Sequence, residues 1–171
     1  MLTGVAEALD FFLDDAASAR VMEMRARLAL AGVPVPAHAP SVRFARGASI
    51  PKKARGDLAT ELRLLVLPEL WFAVFGTILT AEPRLVLAVV TDTELLAAHV
   101  SVHDALAGRV REPSSRYLPG SWLPHCALSR EIPEETLPDA LRELHPVTPI
   151  RAKVAGIGIT DTRTGEVTRL R

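Results

Sequence analysis

The amino-acid sequence predicts an α+β fold in which two α/β units of the same order surround a central cleft. Strand-like and helix-like segments alternate along 171 residues, and the second half of the chain repeats the order of the first. Hydrophobic residues make up 49% of the chain and charged residues 23%, which is enough apolar material for a buried core. We therefore expect one domain, residues 1–171, with two lobes, two antiparallel-rich sheets and interleaved strands.

The first half of the chain is predicted to run strand, helix, strand, helix and hairpin. Short apolar or alternating runs indicate the strands, and apolar residues spaced by three and four indicate the helices. Gly32 is expected to end the first helix, and Ala81-Glu82-Pro83 to form the hairpin turn. The predicted elements are strand Ala6–Leu13, helix Ala16–Ala31, strand Val42–Ala45, helix Asp57–Leu65 and hairpin strands Trp71–Leu79 and Arg84–Val90.

The second half is predicted to repeat this order after a long helix that Thr91 or Asp92 can cap. Gly108 is expected to end that helix, and Arg163-Thr164-Gly165 to turn the last hairpin. The predicted elements are helix Thr93–Ala107, polar loop Arg111–Gly120, strand Leu123–Leu128, helix Thr136–Leu144 and closing hairpin Lys153–Leu170.

Matching segments of the two halves indicate an internal duplication. Pro40–Arg46 aligns with Pro124–Arg130, and the pair Ile50-Pro51 aligns with Ile132-Pro133. From the Ile-Pro pair onward the offset is a constant 82 residues. A duplication of this kind favours a pseudo-two-fold arrangement, in which equivalent strand positions face one another. Residues 41 and 43 would then lie on a strand paired in space with the strand of residues 125 and 127.

Composition restricts the class of protein and its location. Basic and acidic residues number 20 each, which argues against a globally basic nucleic-acid binder and requires any anion site to be a local cluster. The single cysteine, Cys126, excludes an intramolecular disulfide and a cysteine-built metal site, and it is typical of a reducing cytoplasm. The first fifteen residues carry four acidic residues and no basic n-region, so we expect no signal peptide. No stretch is apolar enough to predict a membrane span.

The segment around His125 carries a family resemblance. Trp122–Leu128, which reads Trp-Leu-Pro-His-Cys-Ala-Leu, resembles the Pro-His-Cys-Thr-Leu motif of the two-histidine phosphoesterases of the 2'-5' RNA ligase and cyclic phosphodiesterase kind. Its lead-in, Tyr117–Trp122, and the preceding helix also resemble bacterial members, so the resemblance covers essentially the whole chain. In that family each lobe carries a His-x-Ser/Thr motif on a strand, and both motifs line one cleft. The resemblance thus implies a phosphodiester-binding cleft with His125 as a catalytic residue.

The first motif departs from the family pattern. Where the family has Pro-His-Val-Ser-Leu, this chain has Pro-Ser-Val-Arg-Phe, so Ser41 replaces the histidine and Arg43 replaces the hydroxyl residue. In the second motif Ala127 replaces threonine. The family uses its two histidines as general base and general acid, and its hydroxyls to orient the phosphate. The departures predict weak or altered activity, with Arg43 and Ser41 as candidate phosphate-binding residues.

Each site candidate also has a purely structural interpretation. His125 could be a strand histidine bonded to a backbone carbonyl, and Arg43 a solvated arginine at a strand end. Tyr117 and Trp122 flank the motif and could bind substrate by stacking on a base, or could only pack the loop against the lobe. His38 lies three residues before Ser41 and could substitute for the lost histidine.

Another pair of histidines has a spacing that suits metal ligands. His99 and His103 lie at i and i+4 on one helical face, but the sequence offers no third ligand. We therefore expect helix-surface or core-edge roles for them and no metal site. A basic cluster after the first motif could form a rim for nucleic acid or could simply be solvated: Arg46, Lys52, Lys53 and Arg55.

Three functions remain open at this point. The chain could be a weak phosphodiesterase or ligase that acts on 2',3'-cyclic or 2'-5'-linked nucleotides. It could instead be a pseudoenzyme that binds an RNA end, a nucleotide or a protein partner without turnover, or an interaction module whose cleft has lost its use. We expect no cofactor, no membrane partner, a nucleotide or RNA end as the ligand, and a monomer.

Overall fold

Two four-stranded antiparallel sheets form the centre of the computed structural model, which describes residues 6–80 and 83–171. The helices are α1 (Asp15–Leu30), α2 (Lys52–Leu64), α3 (Thr93–Leu106) and α4 (Leu137–Leu144). The strands are β1 (Glu7–Leu13), β2 (Ser41–Gly47), β3 (Leu70–Thr77), β4 (Leu85–Val89), β5 (His125–Ala127), β6 (Ile150–Ala152), β7 (Val154–Asp161) and β8 (Val167–Arg169). The predicted α+β class with two antiparallel sheets is confirmed.

The two sheets have strand orders β2-β1-β7-β8 and β5-β4-β3-β6. Strand β3 comes from the first half of the chain but lies in the second sheet, and β7 comes from the second half but lies in the first sheet. Each sheet therefore contains strands from both halves. The 82-residue offset relates β3 to β7, which occupy the same place in the two orders. We interpret this correspondence as the product of a duplication.

The two motif-bearing strands, β2 and β5, are each an edge strand of their sheet. These two edges lie against each other, although no backbone ladder joins them. The contact brings residues 41–47 next to residues 125–127. The arrangement creates a cleft at the junction of the sheets, as the sequence predicts.

Aspartates cap the two long helices at equivalent places. The Asp14 carboxylate accepts the N–H of Ala17 at 3.0 Å, and the Asp92 carboxylate accepts the N–H of Leu95 at 2.8 Å. Both aspartates directly precede their helix and have extended backbone, which is the preferred geometry of an N-cap. These caps explain why the predicted starts of both helices lie within one residue of the observed starts.

Helix α2 begins five residues before the predicted start. Pro51 precedes it with a φ of −58°, which already suits a helix, so the chain turns helical at Lys52. Gly56 lies within the first turns of the helix. Ala54 and Leu58 are buried on either side of it, and this burial outweighs the cost of about 1 kcal/mol for a helical glycine.

Other differences concern short strands. Strand β5 spans three residues instead of the predicted Leu123–Leu128, and the prediction missed β6, which pairs with β3. Pro124 has no N–H to donate, so the ladder cannot extend through it toward Leu123. The hairpin strands β3 and β4 pair antiparallel as predicted, while Ala81 and Glu82 of the predicted turn lie outside the described residues.

A continuous apolar core runs through both sheets and the inner faces of the helices. Helix α1 packs with α4, and α2 packs with α3. None of the helices in the described part of the chain has the length and apolar character needed to cross a membrane.

Candidate functional site

A cavity of about 560 Å³ opens at the junction of β2 and β5. Strand β7, the segment before β2 and the turn that follows β7 complete its walls. A volume of this size is typical of sites for small molecules. Five arginines and two carboxylates line it: Arg43, Arg46, Arg84, Arg130, Arg163, Glu131 and Asp161. The lining is therefore a local cationic cluster in a chain without net charge.

A larger cavity of about 640 Å³ lies between α2 and α3. Its charged lining is mainly acidic, with Asp57, Glu61 and Asp104 against Arg109, and Arg109 is already paired with Asp57. The two sequence motifs contribute no residue to it. Its charge is the wrong sign for a phosphate, so the arginine-lined cavity is the better candidate site.

Arg43 lies at the cavity in a bidentate ion pair with Asp10. Its Nε donates to Oδ1 at 2.8 Å and its Nη2 donates to Oδ2 at 3.1 Å, and the two residues are cross-strand partners on β2 and β1. Asp10 is 1% exposed, whereas the Arg43 side chain is 21% exposed. Burial opposes the charge of Arg43, but the Asp10 carboxylate and the Tyr117 side chain raise the pKa of the guanidinium.

The ion pair changes how Arg43 can bind a phosphate. The Nε–Nη2 edge, which would bind a phosphate bidentately, is occupied by Asp10. The donors that do not face Asp10 are shared between the Tyr117 side chain, which lies against the guanidinium, and any ligand. Arg43 is therefore not a solvated arginine at the end of a strand. It is also not a guanidinium without a partner, because Asp10 already occupies one edge of it.

One ring nitrogen of His125 forms a hydrogen bond with the backbone, and the other does not. Its Nδ1 lies 2.8 Å from the carbonyl oxygen of Leu123. Because a carbonyl oxygen can only accept, Nδ1 carries the hydrogen and the neutral ring keeps its lone pair on Nε2. Burial lowers the pKa of His125, and the charges of Arg84 and Arg43 lower it further. The backbone contact and a role as proton acceptor are thus compatible.

His38 lines the same cavity and has a similar hydrogen-bond arrangement. Its Nδ1 lies 3.0 Å from the carbonyl oxygen of Ala39, which leaves Nε2 without a backbone partner. Burial lowers the pKa of His38, the charges of Arg25 and Arg43 also lower it, and Asp10 raises it. The structure therefore brings His38 close to Arg43.

Ser41 and Ala127 occupy the remaining motif positions. Ser41 is 6% exposed and does not line the cavity, and its backbone N–H faces the thiol of Cys126. Burial raises the pKa of that thiol. Ala127 lines the cavity but carries no polar group. Neither position supplies a hydroxyl to the cavity wall.

Tyr117 and Trp122 hold strand β2 from the side. The indole N–H of Trp122 donates to the carbonyl oxygen of Arg43 at 2.9 Å. The indole also stacks on the ring of His99, with centroids 3.9 Å apart and planes inclined by 6°. Tyr117 lies against the Arg43 guanidinium and is half-buried. Trp122 therefore packs against His99 and Phe44, whereas the Tyr117 side chain lies at the cationic site.

His99 and His103 donate to backbone carbonyls. Nε2 of His103 lies 2.9 Å from the Phe44 oxygen, and Nε2 of His99 lies within 3.2 Å of the oxygens of Phe44 and Tyr117. Phe44 is the extra residue of a bulge in β2, which turns its carbonyl toward α3. Burial and the neighbouring His103 lower the pKa of His99 to about 4, so His99 is neutral at physiological pH. Within residues 6–80 and 83–171, no group of three or more His, Cys, Asp or Glu side chains could hold a metal ion.

Sequence reasoning missed three residues at the site. They are Asp10, Arg25 and Thr160. Arg25 of α1 is 1% exposed and donates to the Ala127 oxygen at 2.8 Å and to the His38 oxygen at 2.6 Å. Thr160 lines the cavity and is 2% exposed, and its hydroxyl has no hydrogen-bond partner among the described residues. A polar residue on an apolar face was the available signal for Asp10 and Arg25.

Comparison with solved structures identifies the fold. The crystal structure of the MHV ns2 PDE domain matches with a TM-score of 0.56 at 13% identity, over 96% of this chain and 98% of that one. The structure of Kluyveromyces marxianus Usb1 matches with a TM-score of 0.54 at 10% identity, over 99% of each chain. The chain therefore shares the fold of these two proteins, and the α+β fold that the sequence resemblance implies is confirmed. No protein-family model and no curated protein matches the chain.

Proposed function

We propose that the chain binds a nucleotide or RNA end through its phosphodiester in the arginine-lined cleft and acts on it as a weak or altered phosphoesterase. The observation that carries the proposal is the cavity itself, in which five arginines surround the contact between the two motif strands. The fold shared with the ns2 PDE domain and Usb1 supports the same class of ligand.

The charges of the cavity favour an anion. Arg43 is paired with Asp10, and Arg84 lies 2.5 Å from Glu131. Arg46 and Arg130 line the cavity, are exposed and have no carboxylate within 4.0 Å among the described residues. Free guanidinium groups are strong hydrogen-bond donors to phosphate, and a ligand phosphate would compensate their charge.

The buried hydroxyl of Thr160 adds a second kind of donor. A buried hydroxyl without a partner is unfavourable by about 1–3 kcal/mol, and a ligand oxygen in the cavity would remove that cost. Thr160 would then contribute one hydroxyl to phosphate binding, where the family motifs of this chain have lost two at positions 43 and 127.

The chemistry available at the cleft is proton transfer next to a fixed cation. His125 keeps a free Nε2 that can accept a proton from an attacking hydroxyl or water. Arg43 remains charged and can stabilise a phosphorane-like transition state, but it cannot act as a base. Slow turnover follows from the absence of both family hydroxyls and of an imidazole at Ser41.

A binding titration tests the proposal. Wild-type protein and the Arg46→Ala and Arg130→Ala variants are titrated with a 2',3'-cyclic nucleotide and with a 2'-5'-linked dinucleotide. We expect saturable binding that each substitution weakens roughly tenfold, since one charge-assisted hydrogen bond contributes about 1.5 kcal/mol or more. Binding should also weaken as salt is added.

Arg63→Ala is the matched control, because Arg63 is exposed on α2 and does not line the cavity. Loss of affinity in this variant equal to that in Arg46→Ala would contradict binding in the cleft. Absence of saturable binding by wild-type protein for both ligands would contradict the proposed function. Binding without any turnover would favour the pseudoenzyme, which the alanine at position 127 already supports.

A further inference from the structure

We propose that His38 supplies the second proton-transfer imidazole of this cleft and acts with His125 on a 2',3'-cyclic or 2'-5'-linked phosphodiester. The inference rests on the proposed function and assigns the role to the loop before β2, not to position 41 on the strand. His38 lines the cavity, whereas Ser41 is buried and does not.

His38 and His125 each leave the same ring atom, Nε2, without a hydrogen bond to the backbone. In each, Nδ1 bonds to a nearby backbone carbonyl, at 3.0 Å for His38 and 2.8 Å for His125. A ring fixed in this way holds one tautomer, in which Nε2 is the atom available for proton exchange. Both rings are within the electrostatic reach of Arg43. His125 does not itself line the cavity, but Ala127, two residues after it on β5, does, and Arg25 ties that residue to the His38 loop. A phosphodiester bound to Arg43 would thus have one imidazole at the cavity wall and a second on the strand beside it.

Arg25 fixes the two segments relative to each other. Its guanidinium donates to the carbonyl oxygen of His38 and also to that of Ala127, which lies two residues after His125. No carboxylate among the described residues lies within 4.0 Å of Arg25, so backbone oxygens are its main partners. The buried cation is therefore a positioning residue that ties the His38 loop to strand β5.

The proposed step needs only the bound cyclic phosphodiester and one water molecule as reactants. Water attacks the phosphorus of a 2',3'-cyclic phosphate, a new P–O bond forms, and the bond from phosphorus to one ribose oxygen breaks. One Nε2 takes a proton from the water, and the other imidazole, in its protonated form, gives a proton to the leaving ribose oxygen. The product is a phosphate monoester. The negative charge of the bound phosphodiester favours the protonated form of the imidazole that serves as acid.

The test compares His38→Gln and His125→Gln with wild type in cyclic phosphodiesterase assays, with affinity measured separately. We expect each variant to lose at least about 100-fold in kcat, and the double variant to lose little more than either single variant, since the two groups act as one unit. Affinity should stay within a few-fold of wild type. The pH profile of kcat for the wild type should have an acidic limb and a basic limb. Each variant should lack one of these two limbs. The groups facing these rings, Asp10, Arg25, Arg43 and Arg84, are unchanged in both variants.

His145→Gln is the control, because His145 is exposed and does not line the cavity. Wild-type kcat and an intact two-limbed profile in His38→Gln would overturn the assignment of His38. Saturable binding by wild type with turnover no higher than in His38→Gln would also overturn it, while the binding function would stand. Absence of binding by wild type would instead show that the proposed function itself is wrong, and the inference with it.

Discussion

The ion pair between Arg43 and Asp10 limits which residues can replace Arg43 in the first motif. Asp10 is almost fully buried, and Arg43 is the carboxylate's bidentate partner across the strand pair. Removal of one partner from a buried pair is much more harmful than replacement of both, because it leaves an uncompensated charge in the core. Arg43 is thus tied to a second residue on another strand.

We predict that Arg43→Thr, which introduces a hydroxyl residue at this position, destabilises the protein by about 3–5 kcal/mol. The double variant Asp10→Asn, Arg43→Thr should recover part of this loss, since Asn leaves no buried charge. Urea unfolding of the three proteins measures the difference. Equal midpoints for wild type and Arg43→Thr would contradict a structural role for the pair.

Residues that belong to a local sequence motif can be selected as candidates from the sequence. Residues whose role depends on partners far away in the sequence cannot. His125 is a candidate from sequence because its neighbours on both sides match a motif. Asp10 contacts a residue 33 positions away, and Arg25 contacts one 102 positions away, so no local pattern assigns them a partner. A polar side chain on an apolar strand or helix face signals that a buried partner exists but does not identify it.

At the scale of elements, α3 holds the edge of β2 through two histidines. The bulge at Phe44 exposes a carbonyl, and His99 and His103 both donate to it. Side chains that satisfy an edge strand in this way also prevent it from pairing with other chains. The i, i+4 spacing that suggested metal ligands therefore serves to secure a strand.

We predict that stability falls as the pH drops from about 6.5 to about 4. The pKa of His99 is about 4 in the folded protein, against 6.5 for an unperturbed histidine, so the unfolded chain takes up a proton before the folded protein does. The full effect is on the order of 3 kcal/mol. Urea midpoints between pH 7.5 and 4 test this in wild type and His99→Gln. A slope as steep in the variant as in wild type would contradict the role of His99; the lowered pKa values of His38 and His125 contribute equally to both proteins.

Helices with clear signals were predicted well, and short strands were not. Asp14 and Asp92 mark their helix starts by residue type alone. The three residues of β6 have no pattern of their own and become a strand only because β3 offers an edge to pair with. Such strands depend on tertiary pairing and not on intrinsic preference.

At the scale of the whole molecule, the exchange of β3 and β7 between the halves joins the two sheets into one unit. Neither half of the chain can complete its sheet alone, because the third strand of each order comes from the other half. The alignment of the two halves predicts a duplication but does not by itself identify which strands are exchanged. The cavity could not be predicted in detail, because its five arginines converge from four segments of the chain.

We predict a single cooperative unfolding transition. Trp71 lies on β3 in one sheet, and Trp122 packs against β2 of the other. In Trp71→Phe and in Trp122→Phe, the remaining tryptophan fluorescence and the far-ultraviolet circular dichroism should give the same urea midpoint. Separate transitions in either variant would show that the sheets unfold independently.

The central claim is that the cleft binds a phosphodiester, and a crystal structure with a saturating 2',3'-cyclic nucleotide tests it most directly. We predict density for the phosphate in the cavity, with an oxygen about 3 Å from a terminal nitrogen of Arg43 and within reach of Nε2 of His125. An empty cleft at saturating ligand, or a nucleotide bound only outside the arginine-lined cavity, would contradict phosphodiester binding in the cleft.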